Sequence, residues 1–361
     1  MKIVILSNDH AWTYNLRKEV IEAIINEGHK VILVLSYGKK IDKLVEMGCE
    51  FVDIPFEGRG MNFLKELKLF FNYKRILKKL KPDMVLTYTI KPNIYGGYVC
   101  GKLGIPFIAN ITGLGTAVEN KSLFQPIFIK LYKKGLKKAK MVFFQNKENM
   151  LFMQSNKILQ GNYHILPGSG VNLNYFAPLP YKKETKIKFV FISRVMKEKG
   201  IDQYLEAAQY IISKYENVEF HICGFCEMEY EEKLQKYIDN KTVIYHGMLD
   251  DIREVLKDIH CTVHPTYYPE GLSNVLLESS ACARPIITTN RSGCREVIDD
   301  GVNGFIVEQQ NSSDLIEKIE KFLSLTWEER EAMGVAGRRK VEREFDRQMV
   351  VDAYIREIED M

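Results

Sequence analysis

The chain opens on a short apolar run, residues 2–7, followed by apolar positions at three- and four-residue steps as far as about residue 26. The first pattern predicts a strand, the second an amphipathic helix. The alternation continues: 29–36, 51–54, 83–89, 106–111 and 141–145 read as strands, and 60–80 as a helix. Continuous apolar strands separated by helices predict a parallel sheet covered on both faces. Residues 177–184 then break the pattern with Pro178, Pro180 and a charge cluster, and read as a linker. Beyond it come strands at 188–192, 218–223, 243–246, 261–264 and 286–289, with helices to about 214 and near 314–325, 327–345 and 348–358. Two doubly wound units in succession predict an α/β protein of two Rossmann-like domains facing a central cleft, with ligands outside the carboxyl ends of the strands. The expected domains are 1–178 and 179–345, the terminal helix 346–361 packing back on the first.

Composition narrows the class. The 361 residues are 46% hydrophobic and 27% charged, as in a globular protein with two cores. No apolar run approaches the roughly 18 residues that span a bilayer, and the first residues read as a strand rather than a signal peptide. Seven scattered cysteines, an odd number, predict a reducing compartment and no zinc or disulfide framework. Charge changes the picture more. Residues 1–180 hold 26 Lys+Arg against 13 Asp+Glu, net +13, whereas the remainder holds 25 against 34, net −9. The two halves are expected to meet different partners.

Candidate chemistry lies mostly in the second half. Glu270-Gly271-Leu272-Ser273-Asn274 comes after the strand at 261–264 and opens a helix carrying Glu278. A helix start offers backbone N–H donors and a positive dipole end to a phosphate or sugar hydroxyl. Glu278 lies five residues after Ser273, about 7.5 Å along the helix, where its carboxylate would reach ribose hydroxyls. Arg194 and Lys199 flank the turn after the strand at 188–192, and cations there would stabilise a diphosphate leaving group. In the first half, Thr112-Gly113-Leu114-Gly115 comes after a strand and allows close backbone approach to a ligand. His10 lies just past the first strand and would act on acceptor or donor sugar; Asp9 precedes it.

In this order, the Glu-x7-Glu spacing of Glu270 and Glu278 and the Arg-x4-Lys-Gly element 194–200 resemble the family-4 glycosyltransferases of the GT-B type. Gly168-Ser169-Gly170-Val171-Asn172, Cys223-Gly224, Gly301-Val302-Asn303-Gly304-Phe305 and the 345–354 stretch extend the likeness over nearly the whole chain. The resemblance implies transfer with retention of anomeric configuration and no divalent metal or other cofactor. It implies that Arg194 and Lys199 bind the donor diphosphate, Glu278 the ribose, and Glu270 with Gly271–Asn274 the donor sugar, Gly224 also lying at the donor. Residues 88–96, Lys91 among them, and 110–115 resemble enzymes of bacterial surface polysaccharide and lipid-linked glycan assembly, in particular N-acetylgalactosaminyltransferases acting on undecaprenyl-diphosphate-linked sugars. The implied donor is a nucleotide sugar, with UDP carrying an N-acetylhexosamine or hexose, and the implied acceptor a lipid-linked glycan. Two positions depart from the family: Asn8-Asp9-His10 lacks paired glycines, and Thr112 stands where many relatives have histidine.

Two basic amphipathic stretches, 63–80 and 125–140, suit an anionic membrane surface. The expected location is therefore cytoplasmic, peripheral on the inner face of the cell membrane. No recognised nucleic-acid motif accompanies the charge. A catalytically silent nucleotide-sugar-binding subunit of a membrane assembly is the alternative, against which the intact Glu270, Glu278, Arg194 and Lys199 speak. An NAD-dependent oxidoreductase would need a GxGxxG after the first strand, where Ser7-Asn8-Asp9-His10 stands.

Overall fold

The computed structural model describes residues 1–55, 63–114, 125–269 and 271–360. They form two units, one of Met1–Ser169 with Arg347–Met361 and one of Gly170–Asp346.

The first unit holds β1 (Lys2–Leu6), β2 (Lys30–Leu35), β3 (Glu50–Asp53), β4 (Met84–Tyr88), β5 (Phe107–Ile111), β6 (Met141–Phe144) and β7 (Asn162–Ile165). All pair in parallel in the order β3-β2-β1-β4-β5-β6-β7. Alternate residues feed opposite cores, which is why the central strands are mostly apolar, with Thr87 and Asn110 the buried polar exceptions in β4 and β5. Ile3 and Ile5 join Ile21 and Ile24 of the helix His10–Asn26, whereas Val4 and Leu6 join Tyr73 and Tyr132 on the other face. The terminal helix Arg347–Glu359 buries Val350, Val351, Tyr354 and Ile358 in the first of these cores. Its first residue is anchored by Arg347 Nη1, 2.8 Å from Glu19 Oε2.

The second unit holds β8 (Ile187–Ile192), β9 (Val218–Cys223), β10 (Ile244–Tyr245), β11 (Cys261–His264), β12 (Ile286–Thr289) and β13 (Gly304–Val307), parallel in the order β10-β9-β8-β11-β12-β13. Each sheet therefore reverses its winding between its first and fourth strands, β1/β4 in one unit and β8/β11 in the other. Ligands bind outside the carboxyl ends at such switch points.

The segment 177–184 is not a linker. The chain enters the second unit at Gly170, where Val171 N–H donates to Phe345 O at 2.9 Å, and Val171 and Phe176 are buried with Leu276 and Val341. Two arginines hold this stretch in place: just ahead of the segment Arg338 Nη1 donates to Phe176 O at 2.7 Å, and within it Arg284 Nη2 donates to Pro180 O at 2.9 Å. The prolines leave carbonyls without a regular ladder, and two distant guanidiniums satisfy them.

Candidate active site

In the second unit, the loops past β8, β9 and β11 are tied together by backbone contacts that only glycine allows. Gly224, just after β9, has φ +139, and a Cβ there would lie 1.9 Å from Ser193 O. Gly200, with φ +79, ends the turn Lys197–Lys199; its Cβ would lie 2.0 Å from Pro265 O. The three loops thus converge on one another.

This convergence brings Arg194 and Lys199 to a single aromatic ring. Lys199 Nζ lies 4.7 Å from the Tyr268 ring centroid and Arg194 Cζ 5.8 Å from it. Lys199 is only 9% exposed, so its ammonium works where water screens it little. Arg194 is more open, and its Nη1 lies 3.1 Å from Glu227 Oε1. An arriving diphosphate would compete with that carboxylate for the guanidinium. Tyr268 is held in turn: its N–H donates to Thr266 Oγ1 at 3.1 Å, and the neighbouring Tyr267 N–H to Glu198 O at 2.9 Å.

The helix at the sugar-directed segment is Asn274–Ala281, pinned to β11 by Thr262 Oγ1 donating to Ser279 Oγ at 2.9 Å. Gly271, Leu272 and Ser273 are buried ahead of it, Asn274 begins it, and Glu278 is half-buried upon it. One expectation is corrected. The Ser273 N–H, read from the sequence as a ligand donor, donates instead to Gly293 O at 2.8 Å. Its hydroxyl lies 3.3 Å from Nε2 of the buried His264. Glu270 lies outside the described residues.

His264 is held neutral. Burial first, and then the Lys199 charge, push its pKa from 6.5 down to about 3. Burial, then His246 at 2.9 Å, pushes His221 down to about 4. Between such a value and 6.5, the unfolded chain binds a proton that the folded chain refuses. Stability is therefore present above the unfolded value and lost as pH falls toward the folded one. At pH 5 each of these histidines is expected to cost on the order of 2 kcal/mol relative to neutral pH. Thermal scans should show a midpoint dropping between pH 7 and 5, with a shallower drop in His264→Asn. An unchanged slope in that variant would contradict the assignment.

In the first unit the candidates sit beyond β1, β4 and β5, flanking its switch point. His10 is the first residue of its helix, and Asp9 is the cap, its Oδ1 accepting from Trp12 N–H at 2.6 Å. The His10 ring packs onto Gly38, where a Cβ would lie 2.1 Å from it. Lys91 Nζ pairs with Glu66 Oε1 at 2.8 Å. Thr112 is half-buried, Gly113 has φ +142 and Leu114 belongs to the core; Gly115 lies outside the described residues. Among the described residues, no group of three or more His, Cys, Asp or Glu is placed to hold a metal ion.

Comparison with known proteins decides the class. Residues 2–146 match the glycosyl transferase 4-like family and residues 179–340 match glycosyl transferases group 1. The N,N'-diacetylbacillosaminyl-diphospho-undecaprenol alpha-1,3-N-acetylgalactosaminyltransferase of Campylobacter jejuni is 26% identical over 340 residues, 90% of this chain and 89% of that one. The UDP-Gal:alpha-D-GlcNAc-diphosphoundecaprenol alpha-1,3-galactosyltransferase of Escherichia coli is 23% identical over 319 residues, 82% and 81% of the two chains. Among solved structures, Anabaena HepE in complex with UDP superposes with a TM-score of 0.81 at 15% identity, over 100% of both chains. The chain is a GT-B glycosyltransferase.

For a GT-B glycosyltransferase, the residues that sequence reading misses are those that orient the charged ones. Tyr268 touches both cations, Glu227 pairs with Arg194, and His264 faces Ser273. The sequence carries one usable signal, His264 closing a strand just ahead of the Glu-x7-Glu segment.

Proposed function

We propose that this glycosyltransferase moves a hexose or N-acetylhexosamine, with retention, from a UDP-sugar held by the C-terminal unit to a lipid-linked glycan held by the N-terminal unit. The observation that carries the donor half is the convergence of Arg194 and Lys199 on Tyr268 outside β8 and β11. These cations hold the diphosphate and meet the negative charge that grows on the leaving oxygen. Glu278 takes the ribose, and Glu270 with the Gly271–Asn274 segment takes the sugar. Gly224 keeps the neighbouring loop close to the donor. His10, Lys91, Thr112, Gly113 and Gly115 form the acceptor side. HepE, solved with UDP, and the two relatives named for diphosphoundecaprenol-linked substrates support this reading.

Since two side-chain cations and a helix start supply the positive charge, no divalent metal is required. Incubation with a panel of nucleotide sugars should release one nucleoside diphosphate, UDP, equally with and without EDTA. Activity abolished by EDTA and restored by manganese or magnesium would overturn the metal-free reading.

With a lipid-linked acceptor, the protein works at the cytoplasmic membrane face. No helix among the described residues is long and apolar enough to cross a membrane, so attachment would be to the surface. Lys130, Lys134, Lys137 and Lys138 are exposed on or just beyond the helix Gln125–Leu136, each contributing about 1 kcal/mol near an anionic surface, less at high salt. Co-sedimentation should occur with anionic vesicles, fail with neutral ones, and weaken when Lys130, Lys133, Lys134 and Lys137 become Glu. Equal sedimentation with both vesicle types would contradict docking.

A further inference from the structure

The N-terminal unit contains a cavity of about 520 Å³ away from its sheet, among the helix Phe63–Leu80, the turn and helix of residues 92–103, and the helix Gln125–Leu136. That is a ligand-sized volume. Its walls are Leu67 and Phe70 from the first helix, Tyr95 and Tyr98 from the second element, and Ile127 and Leu131 from the third. Nothing in the donor chemistry uses this space.

Among the described residues, charge lines the cavity at two places. On one wall stands Glu66, whose Oε1 pairs with Lys91, three residues beyond the carboxyl end of β4, at 2.8 Å. Glu66 Oε2 is buried, with the Tyr95 hydroxyl against the carboxylate, an acceptor at the edge of an apolar space. The nearby Tyr95 hydroxyl feels it: burial first, then the Glu66 charge, raises the Tyr95 pKa. The other charged place is Lys134, on the same helical stripe as Ile127 and Leu131. The exposed Lys130 precedes Lys134 by one turn. Large apolar side chains are exposed on the same two helices as well: Leu64 is 74%, Phe71 58% and Ile127 51% exposed.

The helix Gln125–Leu136 is fixed at its far end by glycine. A Cβ on Gly135 would lie 2.8 Å from Ile94 Cα, and one on Gly97 2.7 Å from Gly135 O. Backbone contact there holds the helix against the Pro92–Gly96 turn, while Ile127 and Leu131 line the cavity.

We infer that this cavity takes the polyisoprenyl chain of the acceptor, with its anionic phosphate head met by Lys134 and Lys130 and a hydroxyl of the carried glycan donating to Glu66. The inference rests on the lipid-linked acceptor proposed above and adds where that lipid lies. Apolar walls ending in lysines on one stripe complement an amphiphile whose head is anionic and whose tail is long and apolar. The aromatic faces of Phe70, Tyr95 and Tyr98 suit a chain that is branched at regular intervals. The Lys91–Glu66 pair connects the cavity to the carboxyl end of β4, so a chain seated there leaves its head at the ligand end of the sheet.

The test is calorimetric titration of the full chain with geranyl, farnesyl and geranylgeranyl diphosphates, with inorganic diphosphate and octadecanoic acid as controls. Affinity should rise at least about tenfold from the ten-carbon to the twenty-carbon chain as more apolar surface leaves water. That rise should vanish in Leu131→Glu and in Ile127→Glu, the latter at a position already open to solvent. Lys134→Glu should weaken all three diphosphates while keeping the dependence on length. Circular dichroism and the thermal midpoint of every variant should match the wild type and so report that the N-terminal unit is folded, and UDP-sugar hydrolysis, which uses the other unit, should be unchanged. No dependence on chain length, dependence unaltered in both apolar-to-Glu variants, or equally tight octadecanoic acid would overturn the inference. Failure of the acceptor reading itself looks different: binding would depend on chain length, but no lipid-linked glycan would receive sugar.

Discussion

Replacing Lys199 or Arg194 with alanine is expected to cut turnover about 100-fold while changing the donor dissociation constant far less. That loss corresponds to about 2.7 kcal/mol of transition-state stabilisation. The sugar–oxygen bond breaks toward a diphosphate leaving group, so negative charge grows on the bridging oxygen after binding is complete. A cation already in place acts on that growth. Lys199 is suited to this because it is almost buried and rests over Tyr268 at 4.7 Å, so little reorganisation is needed when the charge appears. Arg194 starts from its pairing with Glu227, so its alanine variant should show the smaller loss. Tyr268→Phe keeps the ring and should stay near wild type, whereas Tyr268→Leu should lose roughly tenfold in turnover. Single-turnover kinetics beside equilibrium titration with the donor separates the two quantities. Near-wild-type turnover in both cation variants would remove the diphosphate assignment.

The second large effect is on stability. Gly224→Ala places a Cβ 1.9 Å from Ser193 O at a φ of +139, a conformation nearly confined to glycine. Both the strain and the overlap fall on backbone, which cannot rotate away, and together they should cost roughly 2–5 kcal/mol. Chemical denaturation should show the C-terminal unit unfolding at lower denaturant. Donor affinity should fall with it, because Arg194 is the residue next to Ser193. An alanine variant with an unchanged midpoint would mean that the loops after β8 and β9 do not touch as described.

How much of the fold is legible in the sequence depends on how local each determinant is. β1, β2, β4 and β5 are legible because strands covered on both faces are apolar at most positions, apart from Lys2 and Lys30 at the strand starts and the buried Thr87 and Asn110. β7 is not, because Asn162-Tyr163-His164-Ile165 is an edge strand with all four residues exposed. β13 escapes the strand pattern because Gly304 opens it within a glycine-rich motif. The segment 177–184 has the composition of a linker, and distant partners such as Arg284, Cys282 and His260 make it part of the second unit. At the site, Arg194 and Lys199 are legible from their spacing around a strand-to-helix turn. Tyr268 is not, since an aromatic residue in a proline-bearing loop has no periodicity to betray its role. The Ser273 amide reads as a ligand donor because its true partner, Gly293, lies 20 residues on and arrives only with the fold.

The most direct test of sugar transfer to a lipid-linked acceptor uses a labelled sugar. The purified chain would be incubated with radiolabelled UDP-sugars and polyprenyl-diphosphate-linked mono- and oligosaccharides, and the organic-extractable lipid counted. Label is expected to enter the lipid fraction from a UDP donor, in α linkage when the donor is α-linked, at a rate cut about 100-fold in Lys199→Ala. Label that stays wholly in the aqueous phase with every lipid-linked acceptor, or enters the lipid undiminished in Lys199→Ala, would contradict it.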